Sequence, residues 1–194
     1  MKMNIAVLAS GNGSNFQAIV DSIKKGEIEN GNIKVLISNN KKAFALERAK
    51  KEGIEAIYIS RKEYNSREEY DKKIVELLQE RDIELVVLAG YMMWISKYFV
   101  DSFENKILNI HPSLLPAFKG LDAIKKAYDY GVKITGVSVH YVDETEDGGK
   151  IIEQEELRIK KGCTLEELEK EIHKIEHKLY PKVVNQFCNK NQKS

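Results

Sequence analysis

Short apolar runs alternate along the chain with longer charged segments in which apolar residues recur every three or four positions. The first runs have the character of strands: NIAVLAS at residues 4–10, IKVLIS at 33–38 and EAIYI at 55–59. Residues 15–25 and 43–52, between them, have the apolar spacing of amphipathic helices. This alternation predicts an α/β fold in which helices connect parallel strands.

The middle of the chain continues the alternation. Ser66 and Glu69 form a capping box that predicts the start of another helix. The run ELVVLAG at residues 84–90 is apolar without interruption, as in strands that are covered on both faces. We therefore expect it at the centre of the sheet.

The pattern changes after Pro116. A helix is predicted over residues 121–130, followed by TGVSVHYV at 135–142 and IIEQEEL at 151–157. The two apolar runs flank an acidic, glycine-containing loop, so they predict an antiparallel pair of strands.

A second capping box, Thr164 with Glu167, predicts the last helix, which we expect Pro181 to kink or end.

The whole chain, residues 1–194, is expected to form one domain. It is predicted to be a Rossmann-like, open, mostly parallel sheet flanked by helices, with an antiparallel pair of strands in its C-terminal part.

Composition narrows the class of partner. Lysine and arginine number 31 against 30 aspartate and glutamate residues, so the chain lacks the charge excess of proteins that bind nucleic acid or anionic membranes. The longest uncharged apolar run, residues 85–95, is shorter than the roughly 20 residues of a membrane-spanning helix. The N-terminus lacks the pattern of a signal peptide, and Cys163 and Cys188 stand far apart. A cytoplasmic protein with a small-molecule substrate is expected.

The loop SGNGSN, residues 10–15, lies between a predicted strand and a predicted helix. Glycines allow a tight turn and a close approach to a ligand, and the free N–H groups at the start of a helix favour an anion such as phosphate. The loop matches neither GxGxxG nor the P-loop pattern. An ordinary turn between strand and helix is an equally open interpretation.

The stretch NIHPSLLPAF begins with Asn109 and places His111 two residues later. Side chains two apart on a strand point to the same face, and Pro112 limits the strand directly after the histidine. An amide and an imidazole aimed at one point can donate to a developing oxyanion or relay a proton. The alternative is that both side chains only satisfy the end of a strand.

The loop DETEDGG supplies four carboxylates, Asp143, Glu144, Glu146 and Asp147, before two glycines. One of them beside His111 would fix the tautomer of the imidazole and favour its charged form, although most acidic loops are only solvated. A metal site of His111, His140 and a carboxylate lacks the usual ligand spacing, so no metal is expected.

The segment GYMMWI, residues 90–95, follows the predicted central strand at its carboxyl end, where open α/β sheets bind ligands. Its aromatic and methionine side chains suit a flat heteroaromatic ring if exposed, and suit the core if buried. Arg67, His173 and His177 are individually uninformative.

The chain resembles the folate-dependent phosphoribosylglycinamide formyltransferases of purine synthesis over nearly its whole length. The motifs that carry the resemblance occur in the same order and at similar spacing: GNGSN, SREEYD, LAGYM, NIHPSLLPAF, TGVSVHYVDETEDGG and EHKLYP. The resemblance implies transfer of a formyl group from the co-substrate 10-formyltetrahydrofolate to the amine of glycinamide ribonucleotide.

The resemblance also implies site residues. Asn109, His111 and Asp147 correspond to the catalytic set. The ribonucleotide site corresponds to Gly13, Ser14 and Asn15, with Glu176 near the glycinamide end. The folate site corresponds to Arg67, Asn109 and the backbone of Met92, Met93, Trp94 and Ile95. The family often has arginine after GYM or GFM, where this chain has Met93 and Trp94.

These residues suit formyl transfer chemically. Attack of an amine on the formyl carbon creates a negative oxygen and a positive nitrogen. Asn109 and His111 would donate to the oxygen. Asp147 would hold His111 in its charged or correctly oriented form and order a water that relays the amine proton.

Three other functions share parts of this pattern. A formyltetrahydrofolate deformylase would use the same three residues with water, but such relatives carry an N-terminal regulatory domain and have His-His where this chain has His111-Pro112. A methionyl-tRNA formyltransferase would need an RNA-binding domain. A non-catalytic nucleotide-binding module would not need all three catalytic positions.

Overall fold

A seven-stranded sheet with helices on both faces forms the body of the protein, as described for residues 2–190 by a computed structural model. The strands are β1 (Met3–Leu8), β2 (Gly31–Ser38), β3 (Glu55–Tyr58), β4 (Leu85–Leu88), β5 (Ile107–His111), β6 (Ile134–Tyr141) and β7 (Ile151–Arg158). Their order across the sheet is β3-β2-β1-β4-β5-β6-β7. The first five run parallel, and β6 and β7 continue the sheet antiparallel.

Six α-helices connect and cover these strands. They are α1 (Ser14–Lys24), α2 (Phe44–Lys51), α3 (Arg67–Gln79), α4 (Lys97–Ser102), α5 (Ala123–Tyr130) and α6 (Leu165–Lys190), with a short 3-10 turn at Arg61–Glu63. The predicted capping box of Thr164 and Glu167 forms reciprocally. At the other, the Ser66 hydroxyl accepts from the Glu69 N–H as predicted, but the Glu69 carboxylate accepts from the Asn65 N–H. Among the described residues, no helix is both long and apolar enough to cross a membrane.

The predicted fold class is confirmed. The apolar run that ends in β4 lies in the middle of the sheet, and β6 with β7 forms the expected antiparallel pair. One buried cluster packs α1, α2 and α6 on one face of the sheet, and a second packs α3 and α4 on the other. Leu108 and Ile110 belong to the first cluster and Ile107 to the second, so β5 alternates its faces as predicted.

One helix was not expected, and one of the two outcomes expected at Pro181 does not occur. Helix α4 was not predicted; it is only six residues long and begins where the Ser96 hydroxyl accepts from the Phe99 N–H. Pro181 does not end the last helix, which runs on to Lys190. Val183, Val184 and Cys188 beyond the proline are buried in the core, and their burial offsets the hydrogen bond that proline removes.

Tyr180 connects α6 to the centre of the sheet. Its fully buried hydroxyl lies 2.8 Å from the carbonyl oxygen of Leu88 and 3.0 Å from that of Leu108, so one O–H serves the ends of two neighbouring strands. Because Asn109 follows Leu108 and Glu176 lies one turn before Tyr180, this contact fixes two candidate site residues relative to each other.

We expect Tyr180→Phe to lower the free energy of unfolding by about 1–3 kcal/mol, because it leaves buried carbonyl groups without their donor. Urea denaturation followed by circular dichroism measures the change. Tyr130→Phe is the matched control, since Tyr130 is 80% exposed. Equal stability of the two variants would mean that the Tyr180 hydroxyl does not hold α6 to the sheet.

Candidate active site

A cleft of about 730 Å³ opens where the carboxyl ends of β1, β4 and β5 meet. This is the point at which the strand order of the parallel part reverses, and open α/β sheets bind ligands at such points. Its walls are formed by residues 11–15, 88–95, 109–112, 120–123 and 142–147, together with His140, His173 and Glu176. All the sequence-predicted site residues except Arg67 line this cleft.

The carboxylate of Asp147 lies at the centre of the candidate catalytic set. Its Oδ2 is 3.3 Å from His111 Nδ1 and accepts a hydrogen bond of 2.8 Å from the Gly120 N–H. Its Oδ1 is 3.4 Å from Asn109 Nδ2. The structure therefore brings together the three side chains that the sequence singled out, and adds a backbone donor from the loop after β5.

His111 is held from both sides of its ring. The buried imidazole faces Asp147 through Nδ1, and its Nε2 lies 2.8 Å from the carbonyl oxygen of Phe118. Because Phe118 offers only an acceptor, Nε2 carries a proton. Nδ1, which faces the Asp147 carboxylate, is then the ring nitrogen at which the pair can exchange a proton within the cleft.

His140 completes this group, although sequence analysis considered it only as a metal ligand. Its Nδ1 donates to the carbonyl oxygen of Tyr141 over 2.7 Å, and burial lowers its pKa, so the ring is neutral with a free acceptor at Nε2. Asn109 Nδ2 donates to that Nε2 over 3.2 Å. His140 thus fixes which end of the Asn109 amide faces Asp147.

Only the register between β5 and β6 identifies His140 as a residue of the site. Asn109 and His140 are direct partners in this antiparallel pair, and the sequence did not reveal that β6 pairs with β5.

Within residues 2–190, no group of three or more histidine, cysteine and acidic side chains is arranged to hold a metal ion.

The loop before α1 forms a second wall of the cleft. Gly13 occupies the N-cap position in the left-handed region, with φ of 75°, and a Cβ there would lie 2.7 Å from the Cβ of Ala45. Only glycine fits without displacement. Behind the loop, Arg48 donates to the backbone oxygen and to Oδ1 of Asn12 over 2.9 and 3.0 Å. The first N–H groups of α1 have no intrahelical acceptor and are free for an anion.

Helix α6 contributes the buried carboxylate of Glu176. Its Oε2 accepts from Asn15 Nδ2 over 3.4 Å and from His173 Nδ1 over 2.7 Å. The hydrogen bond to Glu176 raises the pKa of His173. His173 was not predicted as a site residue. Its spacing of three residues from Glu176 in a predicted helix indicates that the two side chains lie on the same face.

The segment after β4 forms the third wall. The Met92 N–H donates to Ser10 Oγ over 2.8 Å, and the Ser96 N–H donates to Asp71 Oδ2 over 2.5 Å, so the backbone is fixed near both ends. Between these anchors, Met92 is 65% and Trp94 56% exposed. The segment therefore presents apolar side chains to the cleft.

Arg67 lies behind this wall and does not line the cleft. Its Nε is 3.5 Å from Asp71 Oδ2, and Nε and Nη2 are buried without a hydrogen bond to any residue from 2 to 190. Asp71 in turn accepts from Ser96. Arg67 thus supports the segment indirectly, and the structure does not bring it together with the other predicted folate residues.

Comparison with known proteins gives consistent matches. Residues 3–184 match the formyl transferase family. Phosphoribosylglycinamide formyltransferase of Bacillus subtilis is 43% identical over 188 residues, which cover 97% of this chain and 96% of that protein. The trifunctional purine biosynthetic protein adenosine-3 of Homo sapiens is 42% identical over 180 residues, which cover 93% of this chain and 18% of that protein.

Solved structures of phosphoribosylglycinamide formyltransferases also match the fold of this chain. Glycinamide ribonucleotide transformylase 1 from Geobacillus kaustophilus superposes with a TM-score of 0.94 at 44% identity, covering 97% of this chain and all of that one (100%). Phosphoribosylglycinamide formyltransferase from Bacillus halodurans superposes with a TM-score of 0.92 at 42% identity, covering 95% of this chain and 94% of that one.

The environments of the histidines predict their order of titration. As pH falls, His173 should gain its proton before His140 and His177, above the ordinary pKa of about 6.5, because Glu176 stabilises its charge. His140 and His177 should titrate below that value, because burial lowers the pKa of each ring. Imidazole 15N NMR across pH 4 to 9 measures the order.

Glu176→Gln is the control for this titration. It should lower the pKa of His173 and leave that of His140 near its wild-type value. Protonation of His140 before His173 in the wild-type protein would contradict the assigned hydrogen bonds.

Proposed function

The chain belongs to the formyl transferase family, and from this premise we propose that it transfers the formyl group of 10-formyltetrahydrofolate to the amine of glycinamide ribonucleotide. This reaction is a step of de novo purine biosynthesis. The observation that carries the proposal is the convergence of Asn109, His111 and Asp147 in one cleft, between a loop suited to phosphate and an apolar wall suited to a pterin. We place the reaction in the cytoplasm, in keeping with the free thiols of Cys163 and Cys188.

Asn109 is proposed to stabilise the oxyanion. When the amine nitrogen bonds to the formyl carbon, the electrons of the C=O bond move to oxygen and create a negative charge. The 3.4 Å contact of Asn109 Nδ2 with Asp147 is longer than its 3.2 Å contact with His140. The formyl oxygen can therefore replace the carboxylate as acceptor while His140 keeps the amide oriented.

The pair of His111 and Asp147 is proposed to manage the protons. The attacking nitrogen must lose a proton, and N10 of the folate must gain one when its bond to the formyl carbon breaks. His111 Nδ1 and Asp147 Oδ2, which are 3.3 Å apart, are close enough to hold one proton between them. The pair can take the first proton, directly or through water, and supply the second without a change in net protonation.

The two substrates are proposed to approach from opposite walls. Gly13, Ser14 and Asn15 would bind the phosphate of the ribonucleotide, and Glu176 would face its glycinamide side. The backbone of Met92, Met93, Trp94 and Ile95 would bind the pterin, with Asn109 between the two. Arg67 joins the folate site in this proposal because its Nη2, which has no hydrogen bond to residues 2–190, can bind a carboxylate once the side chain moves.

The direct test mixes the purified protein with both substrates and follows tetrahydrofolate and formylated ribonucleotide together. We expect the two products to appear in equal amounts. Release of tetrahydrofolate without formylated ribonucleotide, or no turnover at all, would refute the proposed function.

Asn109→Ala should lower kcat about 10²- to 10³-fold, because it removes one donor to the oxyanion. His111→Ala should lower kcat about 10²- to 10⁴-fold through the loss of proton transfer. The KM values of both substrates should change much less, and steady-state kinetics measures both quantities. Asn30→Ala is the control, because Asn30 bonds to Asn189 outside the cleft. Near-normal kcat in either cleft variant would remove that residue from the mechanism.

Trp94 provides a direct reporter of folate binding, because it is the only tryptophan of the chain and is 56% exposed in the cleft wall. A folate analogue that covers the indole should quench or shift its fluorescence in a saturable manner, whereas the ribonucleotide alone should change it little. Trp94→Phe should abolish the signal and weaken folate binding. An equal response to both ligands would contradict the assignment of this wall.

A further inference from the structure

The loop after β5, residues 112–118, is tied to the sheet beside His111. It carries Phe118, whose carbonyl oxygen accepts from His111 Nε2 over 2.8 Å. This contact keeps a proton on Nε2 and leaves Nδ1 as the nitrogen that faces Asp147 and can exchange a proton with it. The contacts that hold this loop in place therefore also hold the imidazole in the form that the proposed reaction needs.

Three neighbouring strands present a row of polar side chains to this loop. His111 on β5 is the direct partner of Ser138 on β6, and Ser138 is the direct partner of Gln154 on β7. Direct partners in antiparallel strands stand on the same face of the sheet. The register therefore places His111, Ser138 and Gln154, here called the polar row, side by side from the cleft to the outer edge of the sheet.

Each member of the polar row donates to a different carbonyl oxygen of the loop. The three bonds run from His111 Nε2 to Phe118, from Ser138 Oγ to Ser113 and from Gln154 Nε2 to Leu115, over 2.8, 2.6 and 3.1 Å. The Leu115 N–H also donates to Ser138 Oγ over 3.0 Å. The loop is thus attached to the sheet along the whole row, and His111 is one of its three points of attachment.

Ser113 extends this attachment towards Phe118. Its buried hydroxyl donates to the carbonyl oxygen of Ala117 over 2.5 Å, and Ala117 directly precedes Phe118. The backbone on both sides of Ser113 is therefore fixed, because its own carbonyl accepts from Ser138. A shift of the loop at this point would move the Phe118 carbonyl relative to the imidazole.

Gln154 supports the row from its outer end. Its amide nitrogen donates both to the carbonyl of Leu115 and to Ser138 Oγ, the latter over 2.8 Å. Because Ser138 Oγ accepts from Gln154 and from Leu115, its own proton is directed to Ser113. Loss of the amide at position 154 would release the Leu115 carbonyl and remove this constraint on the Ser138 hydroxyl together. Gln154 itself is exposed on the edge strand and does not line the cleft.

We propose that Gln154 is a positioning residue for the pair of His111 and Asp147. By holding the loop through Leu115 and Ser138, it keeps the Phe118 carbonyl on His111 Nε2 and so keeps Nδ1 as the nitrogen that exchanges the proton. This inference rests on the proposed function and adds to it a side chain that touches neither substrate.

Gln154→Met tests the inference, because it keeps the length of an exposed side chain and removes its donors. We expect kcat to fall about 10- to 100-fold, since a small displacement of a catalytic group is costly even when its cause is remote. The KM values of both substrates should stay near wild type, because Gln154 lies outside both proposed substrate walls. Glu156→Met is the matched control: Glu156 is exposed on the same strand and the same face.

The imidazole of His111 reports the contact without substrates. In 1H–15N spectra of the wild-type protein, the Nε2 proton should be protected from exchange with water, because it is bonded to the Phe118 carbonyl. In Gln154→Met it should exchange about tenfold faster, because the loop opens more often. In Glu156→Met it should exchange at the wild-type rate. Urea denaturation of each variant checks that it is folded under these conditions.

A wild-type exchange rate at His111 Nε2 in Gln154→Met, or a wild-type kcat, would overturn the inference, whatever the effect on stability. Equal losses in Glu156→Met would overturn it as well, because any change on the edge strand would then suffice. The exchange measurement needs no turnover, so it separates this inference from the proposed function, which wild-type turnover tests by itself.

Discussion

The carboxylate of Asp147 lies against three nitrogen atoms from two segments of the chain, and the candidate catalytic half of the cleft depends on this convergence. Asn109 and His111 reach it from β5, and Gly120 reaches it from the loop that follows. Positive φ occurs at Asp147 itself and at Phe118 and Asp122 in the loop after β5, at 44°, 52° and 57°. Such conformations cost energy in non-glycine residues and persist where surrounding contacts enforce them.

The charges of the cleft are arranged in pairs. His111 Nδ1 faces Asp147 in the candidate catalytic set, and His173 pairs with Glu176 on the wall formed by α6. Between them, burial keeps His140 neutral, which lets it accept from Asn109. A protonated His140 would have to turn this amide around, because its Nε2 would become a donor. Burial of one histidine therefore preserves the orientation of the Asn109 amide, which is the proposed oxyanion donor.

Local patterns in the sequence were sufficient for the fold class and for part of the site. The uninterrupted apolar run of β4 identified the central strand, and period-two alternation placed Asn109 and His111 on one face of β5. Long-range pairing was not accessible in this way. His140 belongs to the site because β6 pairs with β5 in a register that places it opposite Asn109. Core burial beyond Pro181 outweighed a local helix-ending signal, and the position of Arg67 behind the cleft wall follows from its contact with buried Asp71.

The central claim is that the site serves an amine acceptor, anchored through its phosphate, rather than water. A deformylase would use the same three side chains, so the acceptor dependence of the chemistry distinguishes the two. The measurement incubates the protein with 10-formyltetrahydrofolate alone, quantifies formate, and then adds glycinamide ribonucleotide and quantifies the formylated product. Binding energy from the remote phosphate orients the amine, so we expect slow release of formate and rapid transfer once the ribonucleotide is present. Rapid release of formate that the ribonucleotide neither accelerates nor diverts would contradict the account.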